Sequence, residues 1–359
     1  MRSTRFFGLI ALLALLVAGV ATLLAGEWLW SIAGNRALQS LGVGLTLPAR
    51  VATFLGDEQF YLVLIPIIYW CVHKELGADL GVLVVLSPVV NAVLKSAIQH
   101  PRPFWQAAEL QLGAADSFST PSGHAQNSAA LFGYSALFLW QRRGRGWAVT
   151  TLALLIVLVF LSRVYLGVHF AGDILWGAAI GLVLAASYAW VKPRLLPGLR
   201  RLPLALHALL ALVAGIGIFA AQAFLLTLPL GAAVAFPALY QEALAATFEG
   251  AATVAGLTIG LWLGLVLESR YVRFSVAGPL GQRVVRYLIG VVGLFVIWQG
   301  LSLVFPREPL ALGLLLRILR YGLAMFWAIA AWPWLFVRVG LGTRTGQEAE
   351  HGDQAAAHA

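Results

Sequence analysis

Charge is what this sequence has least of. Only 11% of its 359 residues are Asp, Glu, Lys or Arg, whereas 60% are hydrophobic. Soluble domains carry about a quarter charged residues. So few charges cannot cover the surface of a water-soluble protein of this size, which excludes a soluble globular enzyme. Cysteine is nearly absent as well: Cys71 stands alone, so no intrachain disulfide can form. Acids are fewer than bases, 15 against 24, leaving a net charge of +9. On a soluble protein that balance would suggest nucleic acid. Here the bases sit in short loops between apolar blocks, which is an orientation signal in a membrane, and no nucleic-acid partner is expected. No set of Cys, His and Asp has metal-ligand spacing, so the reading requires neither a metal nor another cofactor.

What the chain does have is long apolar runs. A helix needs roughly 20 apolar residues to cross a bilayer. Ten spans are expected, near 6–26, 59–73, 78–98, 126–141, 147–166, 169–191, 203–227, 249–267, 284–305 and 310–337. The first follows Arg2 and Arg5 and is too long for a typical signal-peptide core, so it is expected to remain as a helix. Residues 343–359 are small and polar and are expected to be disordered. The fold class is therefore an all-α integral membrane protein.

The bases also orient the chain. Of the 24 Lys and Arg, six fall on the face opposite the N-terminus: Arg36, Arg50, Lys95, Arg102, Arg163 and Arg307. Arg317 and Arg320 fall inside the last span, and the other 16 lie on the N-terminal side. That bias expects both termini in the cytoplasm, in a plasma (bacterial inner) membrane, with the opposite face toward the periplasm or exterior.

Three clusters share that opposite face. Lys95 is followed after six residues by Arg102-Pro103. Pro121-Ser122-Gly123-His124 precedes the fourth span. Ser162-Arg163, then His169, then Asp173 bridge the fifth and sixth. Lys95, Arg102 and Arg163 supply three cations, and arginine matches phosphate oxygens in a bidentate fork. Ser122 and the Gly123 N–H add neutral donors near a helix start, where anions are favoured. Together they form a phosphate cradle suited to the charge of a phosphoryl-transfer transition state. His169 and Asp173 are four apart and share a helix face. Asp173 can hold one imidazole nitrogen and leave the other free to attack phosphorus. His124 remains as the proton carrier for leaving group and water.

These residues resemble the type 2 phosphatidic acid phosphatase family, which includes lipid phosphate phosphatases and vanadium haloperoxidases. The pattern K-x6-RP, PSGH, SR-x5-H-x3-D is present without a gap and in order. The resemblance implies His169 as nucleophile, Asp173 as its partner and His124 as acid/base. It implies phosphate binding by Lys95, Arg102, Ser122, Gly123 and Arg163. It also implies a six-helix catalytic core over residues 1–191. Beyond it the spans read as a basic linker at 192–202 and an accessory bundle of about four transmembrane helices at 203–342, which the typical family core does not need. Gly56-Asp57-Glu58 with Phe60-Tyr61 also looks like the sphingosine-phosphate phosphatase branch.

Plainer roles stand beside these. Lys95 at a helix end can snorkel to the interface. His100 reads as an interfacial residue, Asp57 and Glu58 as carboxylates favoured at a helix N-terminus, and Phe104 and Trp105 as interfacial anchors. Arg317 and Arg320 share a helix face inside the membrane and are either a structural pair or a second anionic site. Gly256, Gly260 and Gly264 repeat every four residues, which suits close packing within the chain or in a homodimer. The expected activity is removal of a terminal phosphate from a membrane lipid phosphate or pyrophosphate through a phosphohistidine. A phosphotransferase using the same intermediate, or a lipid translocase with a vestigial phosphate site, remains the alternative. Phosphatidic acid, polyprenyl pyrophosphate, phosphatidylglycerol phosphate and sphingoid phosphates are not distinguished.

Overall fold

The computed structural model describes residues 2–140, 145–228 and 232–345. Arg142 and Arg143, and the tail from residue 346, lie outside the described residues. Helices dominate, and among the described residues the only β-type pairing is an isolated bridge between Phe274 and Arg344. Among the described residues, eight helices are long and apolar enough to cross a membrane, and Val43–Phe54 with Glu58–Val72 is a further candidate bent by 47°. The protein is thus an all-α integral membrane protein, as its composition requires.

The helices that build the site are α1 (Arg2–Leu29), α2 (Ala33–Gln39), α3 (Thr46–Phe54), α4 (Glu58–Pro66), α5 (Lys74–Ile98), α6 (Pro103–Gln106), α7 (Gly123–Trp140), α8 (Gly146–Tyr165) and α9 (Ala171–Leu199). The expected span at 126–141 is α7. It is less apolar than its neighbours because it lies inside protein: Gln126, Asn127 and Ser128 are all buried. The short helices α2 and α3 were not expected. They occupy the stretch between the first two expected spans, 6–26 and 59–73.

By contact the chain forms two compact units, each built from three separate stretches. One comprises Met1–Tyr61, Leu86–Leu199 and Ile218–Ala251; the other comprises Leu62–Val85, Arg200–Gly217 and Ala252–Ala359. The first unit is arranged inside out, as a bilayer demands. Leu23 and Leu24 on α1 are more than four-fifths exposed, while Asn35, Ser87, Ser122 and Gln126 are fully enclosed. Lipid tails solvate the apolar exterior, and buried polar groups must then find partners internally. They do. Ser87 Oγ donates to Asn127 Oδ1 at 2.7 Å, Asn91 Nδ2 donates to Gln126 Oε1 at 3.0 Å and to the Pro121 carbonyl at 3.1 Å, and Gln126 Nε2 donates to the Ser87 carbonyl at 2.8 Å. This network ties α5 to α7 and fixes the turn that precedes His124.

Small residues bring α9 onto α7. A Cβ at Gly177 would stand 2.6 Å from the Ser122 carbonyl oxygen, and one at Gly181 would stand 2.2 Å from that of Gln126. A larger residue at either position would push the His169 helix away from the PSGH turn.

In the second unit, Gly256 and Gly260 do the same work. A Cβ on either would meet a carbonyl oxygen of the 310–326 helix, Ile318 at 2.3 Å and Gly322 at 2.2 Å, and one at Gly264 would meet the Ile329 side chain at 2.9 Å. The glycine repeat therefore packs within the chain. Arg286, counted with the cytoplasmic bases in the orientation argument, is fully buried instead. Its guanidinium donates to the carbonyls of Trp70 (2.8 Å), Leu341 (2.9 Å), Ala277 (3.1 Å) and Ser275 (3.3 Å) and lies over the Phe336 ring.

Candidate active site

The chemistry depends on where α8 ends and α9 begins. Gly167 makes that break. Its φ of +70° is left-handed, and a Cβ there would fall 1.8 Å from the Leu110 carbonyl oxygen. Glycine alone accepts such a position without strain. The turn presents His169 two residues before α9, with Asp173 in that helix's first turn. Asn35 on α2 holds the turn from behind: its Nδ2 donates to the carbonyls of Val164 (2.8 Å) and His169 (3.0 Å).

Asp173 is fully buried and saturated with donors. Thr120 Oγ1 donates to Oδ1 at 2.5 Å; the Phe170 N–H donates to Oδ2 at 2.8 Å, and Ser119 Oγ donates to the same oxygen. His169 Nδ1 stands 3.2 Å from Asp173 Oδ2, and Nε2 stands 3.3 Å from an Arg102 guanidinium nitrogen. Arginine only donates, so Nε2 presents its lone pair and the proton sits on Nδ1, toward the carboxylate. Both neighbours thus select the tautomer a nucleophile needs. Burial first, and then the positive charges of Arg102, Arg163 and Lys95, push the His169 imidazole well below its ordinary pKa and keep it neutral.

The three cations converge around this ring. Arg102 closes the connection after α5, where Gln99 at φ +49° and the two prolines Pro101 and Pro103 prevent the helix from continuing. Its guanidinium donates to the carbonyls of Ser117 (2.5 Å), Val168 (2.7 Å) and Phe118 (3.2 Å). Lys95 Nζ donates to Ser117 Oγ at 2.9 Å. Arg163 reaches Thr53 Oγ1 on α3 at 2.7 Å, while its buried Nε has no partner. An unpaired buried donor on a cation is costly, and an incoming phosphate oxygen is a group that would satisfy it. Ser122 is fully buried; its N–H donates to the Asp173 carbonyl at 3.1 Å, while its Oγ accepts the Ala125 N–H at a long 3.5 Å near the start of α7. Gly123 opens that helix, where a Cβ would press on Asn91 Oδ1 at 3.3 Å.

His124, one residue into α7, faces α4's approach: its Nε2 lies 2.6 Å from Asp57 Oδ1. A Cβ on Gly56 would strike the same imidazole at 2.9 Å. Asp57 is therefore the partner of His124 and more than a helix-start carboxylate. Its position on the cation-rich face was the signal for that. Ser119, Thr120, Ser117 and Asn35 were not identified from sequence, because single small polar residues in a loop carry no distinguishing pattern.

Beside Thr120 a cavity of about 540 Å³ opens, lined by Trp30, Leu94, Ile98, His100, Trp176 and Ile180 among others. That volume lies within the roughly 300–1,000 Å³ of small-molecule sites. His100 lines it and packs edge-on against Trp30 at 5.0 Å. Phe104 and Trp105 are buried in a cluster with Phe118 and Tyr240, so they are core residues and not interfacial anchors. Arg317 and Arg320 lie apart in the second unit. Arg317 Nε donates to Thr253 Oγ1 at 2.8 Å, both guanidinia lie near the Tyr321 ring, and Arg320 Nε is buried without a hydrogen-bond partner. Among the described residues, no group of three His, Cys, Asp or Glu side chains is placed to hold a metal ion.

Residues 76–197 match the model of the PAP2 superfamily, and residues 252–344 match that of the PAP2 superfamily phosphatase transmembrane extension. The chain is 36% identical over 141 residues to phosphatidylglycerophosphatase B of Bacillus subtilis, covering 37% of this chain and 68% of that protein. It is 28% identical over 150 residues to a probable sphingosine-1-phosphate phosphatase of Dictyostelium discoideum, covering 39% of this chain and 37% of the relative, so it spans little more than a third of that protein's length. The crystal structure of a transmembrane PAP2 type phosphatidylglycerolphosphate phosphatase from Bacillus subtilis is similar at 27% identity, with a TM-score of 0.44, over 54% of this chain and 98% of that one.

Proposed function

The chain belongs to the PAP2 superfamily, and from that premise we propose that it is a membrane lipid phosphatase acting through a phosphohistidine on His169. The observation that carries the reading is the buried His169 ring, held by Asp173 at 3.2 Å and ringed by three buried cations. Its substrate is a lipid carrying a terminal phosphate or pyrophosphate, with the apolar cavity beside Thr120 receiving the chain.

The steps follow from the residues. Phosphate enters among Lys95, Arg102, Arg163, Ser122 and the Gly123 N–H, and Arg102 turns from Nε2 of His169 to a phosphate oxygen. Nε2 attacks phosphorus, the bond from phosphorus to the lipid oxygen breaks, and His124 gives that oxygen its proton. Asp57 favours the charged imidazolium that His124 must be before this transfer, against burial and the positive charges of Arg163 and Lys95, which disfavour it. Asp173 stabilises the positive charge that develops on His169. Water then attacks phosphorus and passes a proton to His124. The P–N bond breaks, inorganic phosphate leaves, and both histidines return to their starting states. None of these steps requires a metal. The reaction face is the one opposite the Arg-rich loops.

Purified protein in detergent with EDTA, offered phosphatidic acid, polyprenyl pyrophosphate, phosphatidylglycerol phosphate and a sphingoid phosphate, should release phosphate from at least one of them. Orthovanadate should inhibit, because it adopts the five-coordinate geometry of the transition state. Activity that vanishes on chelation and returns with Mg²⁺ would contradict the reading.

A second anionic site at Arg317 and Arg320 forms part of the proposal, supported by the unpartnered Nε of Arg320. Replacing both with Ala should raise KM for long-chain lipid severalfold and leave hydrolysis of a soluble phosphate ester unchanged. Unchanged lipid kinetics would remove the second site.

A further inference from the structure

Neither family match covers residues 198–251, yet part of this stretch belongs to the unit that holds the site. One of its contacts falls on a buried residue of the phosphate cradle's own loop. Gln99 lies between Lys95 and Arg102, at the left-handed position where α5 stops. Its side chain is 1% exposed and fully engaged. Nε2, with its two N–H groups, lies within hydrogen-bond reach of three carbonyls: that of Ser96 in its own helix (2.9 Å) and those of Leu228 (3.0 Å) and Leu225 (3.1 Å). Oε1 accepts the Tyr240 hydroxyl proton at 2.5 Å.

Tyr240 holds the cradle at a second point. Its ring packs on the fully buried Phe118 with centroids 5.4 Å apart, and Phe236 packs likewise on Trp105 at 5.8 Å. Phe118 sits between Ser117 and Ser119. Ser117 accepts from both Lys95 and Arg102, and Ser119 donates to Asp173. Tyr240 therefore touches both ends of the loop that carries Arg102, one through Gln99 and the other through Phe118. It touches no reacting group itself.

We infer that Tyr240 is a positioning residue for phosphoryl transfer, acting through Gln99 and Phe118 to hold Lys95, Arg102 and Ser117 around the phosphate. The segment after the family-matched core thus completes the active site. This rests on the phosphatase reading of that site. Removing the hydroxyl frees the Gln99 carbonyl end and lets the cradle relax, while leaving the tail cavity and the aromatic packing in place.

The test is Tyr240→Phe, with Gln99→Met breaking the same contact from the other side. Each purified variant is measured for kcat and KM on a lipid phosphate, for vanadate inhibition and for melting temperature. The inference predicts that kcat falls on the order of tenfold, as misplaced groups do at active sites. Vanadate inhibition should weaken by a similar factor, with KM near wild type and the melting temperature lowered by no more than several degrees, since each variant leaves buried polar atoms without a partner. The double variant should be no worse than the poorer single one. Wild-type kcat and vanadate inhibition in Tyr240→Phe would overturn it. So would failure of both variants to fold, which would assign the contact to stability alone. If wild-type protein neither releases phosphate nor responds to vanadate, the phosphatase reading has failed instead, and Tyr240 loses its role with it.

Discussion

His169 and Asp173 carry the account at the scale of the residue. The imidazole is held between a carboxylate and a guanidinium, so its two nitrogens have different tasks before substrate arrives. Deleting the ring and deleting its partner should therefore differ. His169→Ala should abolish phosphate release from folded, membrane-inserted protein. Asp173→Asn keeps the attacking nitrogen but disturbs the tautomer, so a residual rate should persist, lower by on the order of 10⁴-fold as in a comparable carboxylate–histidine pair. Steady-state turnover of each variant checks both statements, and equal activities would contradict the division of roles. The residues behind these predictions were readable in the sequence because each is a charged or titratable group in an apolar chain. Asp57 was readable only halfway. Its position on the active face was evident, but its pairing with His124 required the bend between α3 and α4. Ser119, Thr120 and Asn35 were not readable, since their value lies in donors aimed at a partner 50 or more residues away.

Elements set the distances between those residues. Helix α9 carries Asp173, helix α7 carries His124, and glycines at 177 and 181 let their backbones approach. Gly181→Leu should separate them. Overpacking of a tight contact costs about 1–3 kcal/mol, so the melting temperature in detergent should fall by several degrees and kcat should fall with it. A variant unchanged in both would show that the close approach is not needed. The long helices were legible from apolar runs alone, because a bilayer imposes a length. Helices α2 and α3 were not. They are too short to leave a periodic signal, and what defines them is contact: α2 supports His169 through Asn35, and α3 places Thr53 against Arg163. The extent of the catalytic unit was also illegible. Apolar runs show where the chain crosses but not which crossings pack together, and Ile218–Ala251 joins the site-bearing unit through the contacts of Gln99 and Tyr240.

For the whole molecule, the distribution of bases is a statement about sidedness. Arg145 lies between α7 and α8, on the side the orientation rule assigns to the cytoplasm, and the cradle lies at the other ends of those helices. With Cys71 changed to Ser, a single cysteine in the 104–120 loop should react with an impermeant maleimide applied outside intact cells. One in the 142–145 loop should not. Reversed labelling would place phosphate release in the cytoplasm and overturn the orientation, though not the chemistry.

The central claim is that phosphorus is covalently bound to His169 during turnover. The most direct measurement is a rapid acid-free quench of the purified protein with a lipid whose terminal phosphate is radiolabelled, followed by denaturing separation. The account predicts label on the wild-type protein, stable to base and labile to acid as a phosphoramidate is. It should map to the peptide containing His169 and be absent from His169→Ala. Turnover with no labelled protein, or label and phosphate release that persist in His169→Ala, would contradict it.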